Sequence, residues 1–255
     1  FSPTSNVMIY DVDPLKSNAT IDEVHNCDIV FVCVPTPMLI DGSQDLNYIM
    51  NVFTLAKEKA IYVIKSTVLP GTTNLIQKKY PKIKVIFSPE FLSERTAKLD
   101  VLTQARIILG GKSELTSIVR QLFEQRFMNR NFIETDSVTA EMVKYMNNTF
   151  FATKVSILNE FKLLSDKVGA NWSDALNGFV SDSRIGDSHV HVPGPDGKLG
   201  YGGTCFPKDV NAFIIFAKKN GINLNSVEGG WKTNLTVRPE KDWEKKYGRS
   251  VSYEK

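Results

Sequence analysis

The segment Asp28-Ile29-Val30-Phe31-Val32-Cys33-Val34, followed at once by Pro35-Thr36-Pro37, decides how the rest of the chain is read. Six apolar residues in a row, most of them β-branched or aromatic, favour a strand. Their failure to alternate with polar residues fits a strand buried on both faces, as in a parallel sheet. Similar runs recur on either side: Asn6–Asp11 (NVMIYD), Ile61–Lys65 (IYVIK), Lys84–Phe87 (KVIF) and Arg106–Leu109 (RIIL). Between them the sequence predicts helices over Asn47–Lys59, over Thr72–Lys79 just after Pro70-Gly71, and over Glu114–Phe127 with Ser113 as cap. Such alternation predicts an α/β fold, a Rossmann-type doubly wound parallel sheet.

Further along, the pattern changes. From Thr139 to about Lys167 there is no Gly or Pro, and Met142, Tyr145, Met146, Thr149, Phe150, Thr153, Ile157, Phe161 and Leu164 recur three or four apart. That spacing predicts one helix of nearly 30 residues, roughly 40 Å long. Shorter helices are predicted over Ser173–Val180 and Pro207–Asn220, with a Gly/Pro-rich loop from Gly186 to Gly203 between them. Beyond Gly221 the chain is polar and reads as an extended tail with one short helix near Pro239–Lys246. The expected organisation is a sheet domain over 1–138, an α-helical domain built on the long helix over 139–221, and a polar tail over 222–255.

Composition narrows the function. The chain has 255 residues, 42% hydrophobic and 23% charged, with 31 basic side chains against 28 acidic ones. That is a globular composition, and a net charge of +3 argues against a nucleic-acid partner. No apolar stretch approaches the roughly 20 residues of a membrane span, and Phe1–Asn6 does not resemble a signal peptide. Cys27, Cys33 and Cys205 are odd in number and scattered, which fits a reducing, cytoplasmic setting better than a disulfide framework.

Several stretches carry chemistry. Asp11, at the end of the first apolar run, has the placement of the acidic residue that binds ribose hydroxyls, and by itself it equally suits a turn before Asp13-Pro14. No G-x-G-x-x-G phosphate turn occurs anywhere in the chain, so the first strand of such a sheet, and its glycine turn, are expected upstream of Phe1. Val34-Pro35-Thr36-Pro37 and Lys65-Ser66-Thr67-Val68-Leu69-Pro70-Gly71 follow strands, where open sheets place their ligands. The most telling stretch is Gly200-Tyr201-Gly202-Gly203-Thr204-Cys205-Phe206-Pro207-Lys208-Asp209. Glycines let backbone approach a ligand, and Cys205 falls at a helix N-terminus with Lys208 three residues on, both of which favour a thiolate. Cys27 and Cys33 read instead as small core hydrophobes. Lys144 and Asn148 are four apart on the long helix and can donate to an oxygen gaining negative charge, unless they only line a solvated face. Glu90, in Ser88-Pro89-Glu90-Phe91-Leu92, follows a strand and is a candidate base. His189 and His191 have no third ligand in view, so no metal site is expected.

In order, these pieces resemble the UDP-glucose/GDP-mannose dehydrogenase family. The landmarks are YDVDP (10–14), VPTP (34–37), KSTVLPG (65–71), SPEFLSE (88–94), RIILGG (106–111), AEMVKYMNNTF (140–150), DSRIG (182–186) and GYGGTCFPKD (200–209). The resemblance implies NAD as cofactor and a four-electron oxidation of the C6 alcohol of a nucleotide sugar, UDP-glucose in the first place. Cys205 matches the family nucleophile, Lys144 and Asn148 the pair that stabilises oxyanions, and Glu90 a base acting through water. Asp209 matches a residue that orients water or the lysine, and Thr67 one that holds the reacting water. Cofactor contacts are implied for Asp11, Lys16, Pro35, Thr36, Ser66, Thr67, Glu94 and Lys208. Substrate contacts are implied for Glu90, Phe91, Leu92, Lys144, Asn148, Arg184, Tyr201, Gly202 and Gly203. Arg184 would reach a neighbouring subunit, and the long helix 139–167 would form a homodimer.

The sequence also departs from the family. Glu94-Arg95 stands where Glu-Gly is common, the loop Asp187–Leu199 is long, and only 34 residues follow Gly221, where relatives carry another domain. The short C-terminus is taken as genuine, with Arg238, Lys241, Trp243, Lys245 and Lys246 partly replacing the absent nucleotide contacts. Two alternatives remain: a single-step β-hydroxyacid dehydrogenase, which needs no cysteine, and a catalytically inactive sugar-nucleotide binding protein.

Overall fold

A computed structural model of the chain describes residues 5–93, 95–127 and 129–253. The chain divides into two compact units, one made of residues 1–36 and 46–144, the other of residues 37–45 and 145–255.

In the first unit, a 3-10 turn (Pro14–Lys16) and the short helix α1 (Ile21–His25) precede strand β1 (Ile29–Val32). Then follow α2 (Asn47–Thr54), β2 (Ile61–Ile64), α3 (Thr72–Lys79), β3 (Lys84–Phe87), α4 (Ala97–Thr103), β4 (Arg106–Gly110), α5 (Ser113–Glu124) and β5 (Asn131–Thr135). The strands form one sheet in the order β1-β2-β3-β4-β5. Strands β1, β2 and β3 are parallel, with Val30 beside Tyr62 and Tyr62 beside Val85. Strand β4 meets β3 antiparallel at Phe87 and Gly110, and β5 runs parallel to β4.

Every residue of β2 is buried, which is why its sequence does not alternate. Tyr62 and Ile64 pack with Ile49, Phe53 and Ile76, whereas Ile61 and Val63 pack with Val119, Phe123 and Phe127. The two sets cover opposite faces of the sheet, so the doubly wound reading holds, with one antiparallel pairing in an otherwise parallel sheet.

Several sequence expectations need correction. Asn6–Asp11 is not a strand: Val7, Ile9 and Tyr10 are exposed, and the segment folds back on its own turn. There Ile9 N–H donates to Asn18 Oδ1 at 2.6 Å and Asp11 N–H to Ser17 Oγ at 2.8 Å. Local side-chain acceptors take the donors a sheet ladder would have used. Helix α2 ends at Thr54, five residues before Lys59. Strand β5 has no apolar run to mark it in the sequence, because it is an outer strand with a polar, half-exposed sequence.

The long helix is α6 (Ser137–Val168), 32 residues. It starts two residues before Thr139 because Asp136 caps it, accepting from Thr139 N–H at 2.9 Å and from its hydroxyl at 2.6 Å.

In the second unit α6 is followed by α7 (Trp172–Val180), α8 (Phe206–Lys219) and α9 (Asn225–Val237), then a 3-10 turn, Asp242–Lys245. The stretch expected as an extended tail therefore holds a 13-residue helix. Gly229-Gly230 hid it, since glycine weakens a helical pattern. Its lack of a side chain is what the packing uses: a Cβ on Gly230 would lie 3.3 Å from Thr153 Cα, and Ser156 Oγ donates to the Gly230 carbonyl at 2.6 Å. The C-terminal residues close onto segment 37–45, where Met38 packs with Trp243 and Val251 and its N–H donates to the Ser250 carbonyl at 2.8 Å. Trp231 completes that cluster, its ring centroid 5.4 Å from that of Trp243 and 6.2 Å from that of Tyr201.

Candidate functional site

In the first unit, the loops after β1, β2 and β3 leave the carboxyl ends of adjacent parallel strands, where open α/β sheets bind ligands. Side-chain hydroxyls stitch the first two together: Thr36 Oγ1 donates to the Thr67 carbonyl at 2.8 Å, and Ser66 Oγ to the Val34 carbonyl at 2.6 Å. Thr36 and Ser66 are buried, so these protons serve the loops themselves, and Pro35 is the exposed member. Lys65 reaches the third loop, with Nζ 3.2 Å from Glu90 Oε2 and 3.3 Å from the Pro89 carbonyl. Lys144 donates to the Glu90 carbonyl and lies 5.2 Å from the centre of the Phe91 ring, on which Arg106 also stacks at 4.7 Å.

A cavity of about 280 Å³ opens beside these loops, lined by Phe31, Cys33, Lys65, Glu90 and Phe123 among others. Cys33 is therefore exposed at a cavity and not a core residue. Leu92 borders a second recess of about 230 Å³ with Phe91 and Arg106.

Buried Glu141 on α6 fastens the loop after β2. It accepts from Gly71 N–H at 2.6 Å, from Thr73 N–H at 2.8 Å and from the Thr73 hydroxyl at 2.6 Å. Gly71 has φ +96°, a conformation that favours glycine. Burial pushes the Glu141 carboxyl above its ordinary value against the pull of these donors. Nothing in the sequence marked Glu141 apart from its place in the AEMVKYMNNTF landmark.

Asp11 and Lys16 lie in the exposed turn: Asp11 Oδ1 accepts from Asp13 N–H at 2.9 Å, and Lys16 pairs with Asp13 at 3.1 Å. Glu94 lies outside the described residues. Among the residues present, the exposed Asp11 carboxylate suits ribose hydroxyls, and the exposed Pro35 stands just past the end of β1, where open sheets bind ligands; both fit NAD.

In the second unit, Cys205 is the N-cap of α8 and is exposed, its sulfur 3.7 Å from Thr204 Oγ1. Pro207 sits in the first turn, where a missing N–H costs nothing. One turn on, the buried Asp209 carboxylate accepts from Asn148 Nδ2 at 2.6 Å on one oxygen and from Lys208 Nζ at 2.6 Å on the other. The Lys208 ammonium is thus bonded to a carboxylate and is not a free charge for the thiol.

The glycine loop before Cys205 is held from below. Gly200 N–H donates to Asn159 Oδ1 at 3.0 Å, Tyr201 N–H to Asn234 Oδ1 at 2.7 Å, and Gly203 N–H to Asp242 Oδ2 at 3.2 Å. Arg238 and Trp243, read as nucleotide contacts, are only 3% and 1% exposed. Arg238 bonds Asp242 Oδ1 and Asp196 Oδ2, each at 2.6 Å, and so is an internal tie. Arg184 lies in the open, folded onto Asp182 with Nε 2.9 Å from Oδ1. Lys154 gathers the following turn, donating to the carbonyls of Ile185, Gly186 and Ser188 at 3.2, 3.0 and 2.8 Å. His189 stacks on Phe151, and no group of three or more metal-ligating side chains occurs among the described residues. No helix among them is long and apolar enough to cross a membrane.

Comparison with known proteins matches two successive stretches of the chain. Residues 9–127 match the NAD binding domain of the UDP-glucose/GDP-mannose dehydrogenase family, and residues 138–236 match its central domain. UDP-glucose 6-dehydrogenase of Rickettsia conorii is 35% identical over 232 residues, which is 87% of this chain and 52% of that protein. UDP-glucose 6-dehydrogenase AglM of Haloferax volcanii is 34% identical over 249 residues, 88% of this chain and 56% of that protein. The chain spans about half the length of the curated relatives it matches. The structure of a UDP-glucose dehydrogenase from Pyrobaculum islandicum matches with a TM-score of 0.78 at 30% identity, covering 85% of this chain and 52% of that one. A 3-hydroxyisobutyrate dehydrogenase of Mycobacterium tuberculosis, at 16% identity and a TM-score of 0.66 over 88% of this chain and 78% of that one, shares the fold alone.

Proposed function

The chain belongs to the UDP-glucose/GDP-mannose dehydrogenase family, and from that premise we propose that it oxidises the C6 alcohol of a nucleotide sugar, UDP-glucose first among them, to the carboxylate. NAD, when bound, supplies the acceptor of the two electrons removed in each of two oxidations. The observation that carries this reading is the exposed Cys205 at the head of α8, directly after a glycine loop and one turn before the Asn148–Asp209–Lys208 cluster.

The first oxidation leaves an aldehyde at C6. The Cys205 thiolate adds to its carbon, and the former carbonyl oxygen becomes the hydroxyl of a thiohemiacetal, which takes up one proton. The second oxidation removes that proton and the C6 hydrogen, leaving a thioester. Water adds to the thioester carbon, the C–S bond breaks, and the carboxylate leaves while sulfur recovers the thiolate; the two protons of the water pass by way of Glu90 to solvent. Each adduct places negative charge on the C6 oxygen, and the Lys144 ammonium and Asn148 amide are its donors in this reading. Asp209 holds the Asn148 amide in one orientation. Glu90, acting through water, is the base, and Thr67 holds that water. Phe91, Leu92, Tyr201, Gly202 and Gly203 shape the sugar site. Asp11, Lys16 and Pro35 serve the cofactor, as do Glu94 and Lys208, while Thr36 and Ser66 serve it by holding the loops after β1 and β2 together.

The active form is a homodimer in this reading, with Arg184 serving the partner's site. What supports it is the row of exposed apolar side chains on α6, with Phe150 65%, Leu164 61% and Val168 69% exposed. Free cysteines suit a cytoplasmic location. NADH counted per molecule of UDP-glucose tests the reading. Two, abolished or halved by Cys205→Ser, is the expected result; one, indifferent to that substitution, would make the protein a single-step dehydrogenase.

A further inference from the structure

The three side chains beneath the glycine loop come from one short stretch, spaced four apart: Asn234, Arg238 and Asp242. Each is bonded to loop backbone or to a neighbour that is. Fully buried Asn234 acts as a substitute peptide group, taking Tyr201 N–H at 2.7 Å and giving its own N–H to the Tyr201 carbonyl at 3.0 Å. Asp242 divides its carboxylate between Gly203 N–H at 3.2 Å and Arg238 Nε at 2.6 Å. Arg238 adds the Asp196 carboxylate at 2.6 Å and the Leu199 carbonyl at 3.3 Å, at the near end of the same loop.

The glycines answer to these side chains. A Cβ at Gly200 would stand 2.4 Å from Asn234 Oδ1, and one at Gly202 would stand 2.3 Å from Asp242 Oδ1 and 2.7 Å from Arg238 Nε. With Gly200 N–H on Asn159, side chains hold three of the four successive N–H groups from Gly200 to Gly203. Only Thr204 separates this clamped backbone from Cys205. The loop therefore has one path into α8, and that path fixes where the thiol begins.

We propose that Asn234, Arg238 and Asp242 are positioning residues for the nucleophile loop, setting the backbone from Gly200 to Gly203 and through it the place of Cys205. The proposal rests on the reading of Cys205 as nucleophile. Arg238 is the positive side chain between two carboxylates, Asp242 of the clamp and Asp196 of the neighbouring loop, so its loss would leave both without that ion pair.

The test uses the full chain with Asp242→Asn, which keeps the shape and removes the ion pair, and Arg238→Lys, which keeps the charge and removes the fork. Alkylation of Cys205 by iodoacetamide, followed on its own peptide by mass spectrometry from about pH 6 to 10, is read without substrate or cofactor. Expected is a displaced alkylation profile, with kcat for UDP-glucose lower by about tenfold or more and KM for NAD nearly unchanged. Asp242→Glu should recover part of the kcat. A second measurement does not depend on those variants: Gly202→Ala, whose Cβ would meet Asp242 Oδ1 at 2.3 Å and Arg238 Nε at 2.7 Å, should lose turnover and displace the same alkylation profile. Folded Asp242→Asn and Arg238→Lys proteins with wild-type alkylation and kcat would overturn the proposal, as would a folded Gly202→Ala protein with the wild-type alkylation profile. Turnover that survives Cys205→Ser would instead remove the nucleophile reading, while the alkylation profiles still judge the clamp.

Discussion

Asn148 Nδ2 donates to Asp209 Oδ2 at 2.6 Å, in a cluster where both residues are at most 5% exposed. An amide in that position has its orientation dictated by a carboxylate whose other oxygen already holds Lys208. Removing the carboxylate charge breaks the buried Lys208–Asp209 ion pair, a change that costs about 3–5 kcal/mol. Asp209→Asn is therefore expected to lower Tm strongly and to abolish turnover. Adding Lys208→Met should restore most of the Tm in a thermal melt and none of the turnover. Recovery of both would make the cluster merely structural.

Cys205 presents the opposite case. Its side chain is exposed at a helix cap without a side-chain capping bond. Cys205→Ala should change unfolding free energy by less than about 0.5 kcal/mol. Oxidation of UDP-glucose should nevertheless stop, with NAD binding by calorimetry unchanged. A large stability loss would contradict the assignment.

Glu141 binds three donors of the Gly71–Thr73 segment. Glu141→Ala strands them in a buried place, at about 1–3 kcal/mol for each group left unpaired. The expected result is a destabilised first unit and faster proteolysis at residues 66–71, measured by limited digestion. Glu141→Gln, which keeps an acceptor, should fall between the two.

His25 is 3% exposed, with Nδ1 2.8 Å from the Tyr62 hydroxyl. Burial holds its pKa below the ordinary value; the Lys57 charge adds to this and Asp22 opposes it. The unfolded chain therefore takes up the proton first. Stability is unaffected above about pH 6.5 and declines as the pH falls from there toward the depressed folded value. Tm measured between about pH 7.5 and 5 should drop on the acid side, and His25→Gln should flatten that slope.

Leu164 stands 61% exposed on α6. Leu164→Glu places a charge in the proposed dimer face and should shift the chain toward monomer in light scattering at micromolar concentration. An unchanged mass would move the interface elsewhere.

How much of this was legible depends on where each residue's partners lie. Ile61–Ile64 could be recognised because a strand buried on both faces announces itself by composition. Cys205 could be placed at a helix start because Pro207 and the glycines are local signals. Asn6–Asp11 looked like a strand and was not, since its hydrogen bonds go to Ser17 and Asn18. Arg238 looked like a ligand contact because a sequence shows charge without showing Asp196 and Asp242 around it. The glycines at 200 and 202 looked like room for a ligand, and the atoms that require them are 34 to 40 residues later in the chain. Cys33 was assigned to the core by its neighbours in β1, although it lines a cavity. Local chemistry was readable; closure between distant segments was not.

The paired indoles of Trp231 and Trp243 give the protein an optical handle of its own. Two tryptophans this close couple their transitions, and Tyr201, the residue inside the clamped loop, is their next aromatic neighbour. Their near-ultraviolet circular dichroism should report the order of the loop beside Cys205 without any label. Ligand binding, loosening by a variant and thermal release of that segment then become separately visible in an ordinary spectrum.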